Sequence, residues 1–187
     1  DSALTLDLTP ENKHKDIIKA NEEALEKAIK LIKEDPGIKI NMIGRTISES
    51  ISSRGFQSIK NLSGHEITPY LLHSGVNIPN YDNQNTNTLK DGIYAVEPFA
   101  TYGDGFVKDW KNSNILMLKQ KQPVRGNAQK ILKFIEEEYK TLPFASRWIL
   151  EEFGKSAILS LNQMEKQGML YHFQQLIERS GREVSQF

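Results

Sequence analysis

Four side chains carry most of the chemical potential in this 187-residue sequence: Asp1, His65, His73 and Glu97. Glu97 lies in Tyr94-Ala-Val-Glu97-Pro-Phe99, where apolar neighbours argue for burial. A buried carboxylate must be paired, protonated or bound to a cation, because an unpaired charge is costly to desolvate. One imidazole with several carboxylates suits Mn, Fe, Co or Zn in a mixed nitrogen and oxygen site. Two such ions can hold a bridging hydroxide as nucleophile and polarise a carbonyl. His73, eight residues after His65, could then hydrogen-bond a substrate or a developing oxyanion. Spacing alone leaves the bland readings open. A lone histidine near a turn is commonly structural, and Asp at a strand start is ordinary. His14 is expected to be solvated, and His172 to be structural among its aromatic neighbours.

These residues need elements to position them. Residues 3–8 alternate apolar and polar and predict a strand, with a turn at Thr9-Pro10. From Lys15 to Lys33, Ile17, Ile18, Ala24, Leu25, Ala28, Ile29 and Ile32 recur at helical spacing, and Asp35-Pro36-Gly37 stops the run. A shorter helix is expected from Gly44 to Ser53. Strands are expected around Ile67–Leu72, Ile93–Phe99 and Ile115–Leu118, separated by a polar stretch from Asn80 to Asn87. Helices follow around Ile131–Tyr139, Phe144–Phe153 and Ala157–Met164, the last capped by Gly168. Met169–Phe173 reads as a wing or loop, and Glu183–Phe187 as a final strand. Helices followed by strands point to an α+β layer rather than βαβ winding.

Bulk properties narrow the function classes. Lys plus Arg and Asp plus Glu are each 24, so no net charge pulls the chain toward nucleic acid or anionic lipid. From Lys119 to Arg182 there are eleven Lys or Arg against seven Asp or Glu, too small an excess for a nucleic-acid footprint. Cysteine is absent, which excludes disulfides and thiolate sites. No apolar run approaches the roughly 20 residues that span a bilayer. The chain opens on Asp1, and both ends read as strands cut short, so a fragment is expected.

The wording around the four residues is specific. The segments Asn61-Leu-Ser-Gly-His-Glu-Ile-Thr-Pro-Tyr-Leu-Leu-His-Ser-Gly-Val-Asn-Ile-Pro79 and Leu89-Lys-Asp-Gly-Ile-Tyr-Ala-Val-Glu-Pro-Phe-Ala-Thr101 closely resemble the type 2 methionine aminopeptidases. So do Thr141-Leu-Pro-Phe-Ala-Ser-Arg-Trp148 and the closing Gln186-Phe187. The resemblance implies the α+β pita-bread fold of creatinase and aminopeptidase, incomplete here, with a winged-helix-like helical insertion. It implies a partial catalytic domain over 1–118, the type 2 insertion over 119–181 and a return strand over 182–187. It also implies two divalent metal ions (Co, Mn, Fe or Zn), with Asp1, His65 and Glu97 among the ligands. His73 would contact substrate, and Leu72, Pro143 and Phe173 would line a methionine pocket.

Departures from the family pattern are equally legible. The first aspartate ligand would precede Asp1, and the last carboxylate ligand would follow Phe187. A histidine of the family's N-terminal half is absent, and Asn114 stands nearest to another pocket histidine. The implied function is removal of the initiator methionine from nascent chains, including at the ribosome, by a cytoplasmic monomer that uses neither membrane nor specific nucleic acid. The fragment itself is expected to have little activity. The alternatives are a metal-free relative acting as a binding or regulatory protein, and a proline-specific dipeptidase of the same fold.

Overall fold

The computed structural model describes residues 2–187, and Asp1 lies outside the described residues. The chain divides into two compact units. The first comprises the residues up to Thr68, Leu72–Lys108 and Ile177–Phe187; the second comprises Pro69–Leu71 and Asp109–Leu176.

In the first unit, helix α1 (Lys15–Glu34) packs on helix α2 (Ile40–Ser52). Helix α1 offers small residues, Ala20, Ala24 and Ala28, to the buried ridge of Ile40, Ile43, Ile47 and Ile51 on α2. Burying each isoleucine contributes about 1.5–3 kcal/mol relative to exposure. Helix α2 starts four residues before the expected Gly44, at Ile40. Its first backbone N–H groups, on Ile40 and Asn41, donate to the carbonyls of Asn87 and Asn85 at 2.9 and 3.0 Å. The polar 80–87 stretch thus serves as an N-terminal cap that no local capping pattern announces.

Two sheets of this unit position the site residues. Strand β2 (Ser63–Ile67) is central, with β3 (Asn77–Pro79) and β4 (Ile93–Ala95) antiparallel on its two sides. In the other, β5 (Phe99–Thr101) lies between β1 (Gln57–Ser58) and β9 (Val184–Gln186). The expected strand 67–72 is therefore displaced to 63–67. Pro69 removes a ladder donor and Tyr70 takes a left-handed φ of 61°, so the chain turns there instead. The expected strand 93–99 is two strands in two sheets, broken at Glu97-Pro98.

Residues 3–8 form no ladder. They run with period two, but Leu4, Leu6 and Leu8 are 67, 69 and 90 % exposed, while Ala3, Thr5 and Asp7 are the half-buried set. Thr5 Oγ1 donates to the Gln186 carbonyl and accepts from the Gln186 N–H, both at 2.8 Å, so a side chain replaces the backbone pairing. Asp7 turns inward to accept from the N–H groups of Thr9 and His14.

Strand β6 (Val107–Leu118) leaves the first unit and β8 (Leu170–Glu178) returns to it; β7 (Phe144–Ala145) pairs with β6. Met169–Phe173 is thus mostly strand rather than a loop. Helices α3 (Asn127–Glu138), α4 (Ser146–Phe153) and α5 (Ala157–Lys166) enclose Ile131, Ile135, Phe144, Ile149 and Met164 in the second unit's core. Gly168 takes φ 69° after α5, and its N–H and that of Met169 donate back to Glu165 and Met164, as expected of a helix C-cap.

Candidate metal centre

His65 occupies the middle of β2, opposite Asn77 on one side and Ala95 on the other. A central strand hydrogen-bonded along both edges leaves its backbone little freedom. The preceding Gly64 lets β4 approach, because any side chain there would run into the Ala95 carbonyl. The His65 side chain is 4 % exposed, and its Nε2 lies 2.9 Å from Glu97 Oε1. Glu97 follows β4 at the break before Pro98, and its side chain is 19 % exposed. Gln186 on β9 reaches the other Glu97 oxygen through Nε2 at 3.4 Å.

His73 arrives by a different route. After the turn at Thr68–Leu71, the Ser74 N–H donates back to the Glu66 carbonyl at 3.0 Å, and the Glu66 N–H donates to Val76 at 2.8 Å. That docking lays the His73 ring against His65, with centroids 4.2 Å apart and planes at 82°. Three of the four residues singled out for chemistry are therefore together; the fourth, Asp1, lies outside the described residues.

The expected pocket residues are distributed over both units. Leu72 is half-buried in the first unit, beside His73. Pro143, just before β7, and Phe173, on β8 in edge contact with Tyr171, are half-buried in the second. Gln186 is a contact of Glu97 that side-chain chemistry alone would not have suggested. Its only signal in the sequence is its place in the closing motif.

Electrostatics sharpens the pair. Burial pushes the Glu97 carboxyl above its usual value, against the opposing pull of His65. Loss of hydration pushes the His73 imidazole below its usual value, and His65 beside it adds to the effect. A carboxylate disfavoured by burial and beside an imidazole is poised to gain from a cation. A cavity of about 370 Å³ opens beside Glu97, walled by Leu25, Ile29, Tyr94, Val96 and Phe187. A larger depression of about 700 Å³, lined by Asn77, Asn83, Asn85 and Asn87, contains Glu66 but neither His65 nor Glu97.

With this geometry in place, comparison with known proteins is decisive. The model of metallopeptidase family M24 matches residues 1–129. The chain belongs to metallopeptidase family M24. Its pita-bread α+β class agrees with the one expected from sequence. The M24 chain is 41 % identical over 188 residues to the methionine aminopeptidase of Methanocaldococcus jannaschii, covering 100 % of this chain and 62 % of that protein. It is 42 % identical over 191 residues to that of Thermococcus onnurineus, covering 100 % of this chain and 63 % of that protein. The chain thus spans somewhat under two thirds of the length of these relatives. A solved structure of a thermophilic Arx1 superposes with a TM-score of 0.68 over 91 % of this chain and 52 % of that one, at 13 % identity, which speaks to fold alone.

The donor set fits a divalent ion of the kind a metallopeptidase uses. His65 and Glu97 present one imidazole nitrogen and one carboxylate from a rigid strand and a strand end, their contacting atoms 2.9 Å apart. Among the described residues no group of three or more His, Asp or Glu is arranged to hold a metal ion, so the His65–Glu97 pair is what the described part contributes. No helix among the described residues is long and apolar enough to cross a membrane.

Proposed function

We propose that this chain is the greater part of the catalytic domain of a type 2 methionine aminopeptidase, which hydrolyses the bond after an N-terminal methionine. The observation that carries this is the buried His65–Glu97 pair at 2.9 Å with the His73 ring stacked edge-on beside it. Two divalent ions, when bound, would lower the pKa of an attacking water and polarise the scissile carbonyl.

The chain's own groups have distinct roles. His65 offers a ring nitrogen fixed by a central strand, and Glu97 offers a carboxylate that burial makes eager for a cation. His73, with its pKa held down, stays neutral near pH 7 and can donate a hydrogen bond to the substrate carbonyl or to the oxygen that becomes negative. Asp1 completes the ligand set carried by this chain. In the first unit Leu72, next to His73 in the chain, offers an apolar wall to the thioether side chain, which suits a polarisable sulfur. The substrates are the N-termini of nascent chains, met at the ribosome by a monomer in the cytoplasm.

Only part of the ligand set implied by the family pattern falls within the chain. We therefore expect weak Co or Mn binding and little cleavage of Met-Ala-Ser by the chain alone. Isothermal titration should show binding that Glu97→Gln weakens. Two tight sites would contradict the partial-site reading. No binding at all would favour a metal-free relative, and cleavage of X-Pro dipeptides would favour a proline-specific dipeptidase.

A further inference from the structure

Helix α1 buries one polar residue among its apolar ones. Asn21 is fully buried on the face that carries Ile17, Ala20, Ala24 and Ala28. Its Nδ2 donates to the Pro98 carbonyl at 2.9 Å and to the Ser185 carbonyl at 3.0 Å, with Ser185 Oγ at 3.4 Å. An amide in such a place is costly unless its hydrogen bonds are needed.

The two carbonyls it reaches belong to the segments that hold Glu97. Pro98 has no N–H and stands at the break between β4 and β5. Among the described residues, that oxygen receives Asn21 Nδ2 and, at 3.3 Å, the Phe187 N–H. Ser185 sits on β9 opposite Ala100, next to Gln186, whose amide touches Glu97. One side-chain amide therefore pins the peptide that follows Pro98, one residue beyond Glu97, and the strand beside it. The Pro98 ring fixes the backbone between that pinned peptide and Glu97, so holding the peptide limits where the Glu97 carboxylate can point.

We propose that Asn21 is a positioning residue for the metal centre: from α1 it fixes the Pro98–Phe99 peptide and β9, one residue beyond Glu97, so that the Glu97 carboxylate faces His65. This rests on the reading of His65 and Glu97 as metal ligands. Groups that hold a ligand in place are commonly worth ten- to a hundredfold in metal affinity.

The test is a double-mutant cycle on Co(II) binding to the chain, read by isothermal titration and by the visible absorption of the bound ion. Circular dichroism checks the fold of each variant. Asn21→Leu keeps the volume and removes the donor. It should weaken Co(II) binding about tenfold or more and alter the visible spectrum. In a Glu97→Gln background the same substitution should add almost nothing, because its effect runs through that carboxylate. Asn21→Ala, which resembles Ala20 and Ala24 on the same face, serves the same comparison should the leucine not pack. Equal weakening in both backgrounds, or unchanged affinity in a folded variant, would overturn the proposal. If Glu97→Gln alone leaves Co(II) affinity unchanged, the ligand assignment itself has failed and the positioning role falls with it.

Discussion

Glu178, at the end of β8, is 2 % exposed and carries no part of the candidate site, yet it is one of the most constrained side chains in the first unit. Its carboxylate accepts the Asp104 N–H at 2.8 Å, the Ser180 N–H at 2.7 Å and the Ser180 hydroxyl, tying the β5–β6 turn to the chain after β8. Burial disfavours the charged form, but these donors more than offset it and hold the carboxyl at about 2, against an ordinary 4.5. A carboxyl depressed on folding contributes stability that is complete above about 4.5 and is lost as pH falls toward 2. Urea unfolding at pH 6 and pH 3 should therefore show the native chain losing stability on acidification and Glu178→Gln losing less. Glu178→Ala strands buried N–H donors and should cost about 1–3 kcal/mol at pH 6. At the candidate site, Gly64→Ala should cost at least as much, since the Ala95 carbonyl cannot yield without opening the β2–β4 ladder; loss of the His65–Glu97 contact would show as lost metal binding. His65, His73 and Glu97 were legible in sequence because motif wording supplied what spacing could not. Gln186 and Asn21 were not, because an amide announces no chemistry until its neighbours are known.

Elements report a different balance. The long helices were readable from period alone, since four or more turns repeat the apolar face of α1 several times over. Strands of two or three residues such as β1 and β9 have no period to read, and Pro98 divides what looks like one apolar strand into two. Truncating Ile47, fully buried between α1 and α2, to alanine should cost about 2–5 kcal/mol, measurable by denaturant titration. In the second unit, His172 on β8 joins three elements. One ring nitrogen meets Glu165 of α5 at 2.8 Å and the other meets the Ser113 carbonyl of β6 at 2.7 Å. Both partners accept, so these contacts favour the cationic ring. Burial opposes this, but the Ser113 and Glu165 contacts raise its pKa above the ordinary 6.5. That stability is fully present below about 6.5 and fades as pH rises through the folded value. His172→Gln should flatten the loss of thermal stability between pH 6 and pH 9, followed by circular dichroism. The expectation that His172 is structural agrees with these contacts.

For the molecule as a whole, charge balance is the governing fact. Lys and Arg together equal Asp and Glu at 24 each, and the isoelectric point is near 7.1. A chain near zero net charge lacks electrostatic protection against association. Light scattering should show maximal self-association near neutral pH, declining toward pH 5 and pH 9. Leu4, Leu6 and Leu8 add an exposed apolar row, so Leu6→Lys should reduce the neutral-pH signal without lowering thermal stability. The alternation that suggested a strand was real, but the side it presents to the core was not legible. Hydrophobicity pointed to the leucines, and the packing chose alanine, threonine and aspartate.

The single hydroxyl of Thr5 then acquires a meaning beyond its two hydrogen bonds to Gln186. It works as a key cut for one lock. Slip the segment by one residue and a leucine, with no donor and no acceptor, faces that backbone; slip it by two and an alanine or an anion does. Every other alignment forfeits the pairing, so the docking phase of the opening segment against β9 is written in one side chain. Thr5→Val, nearly identical in shape, would remove both hydrogen bonds to Gln186 and leave the alignment to the contacts of Asp7 alone.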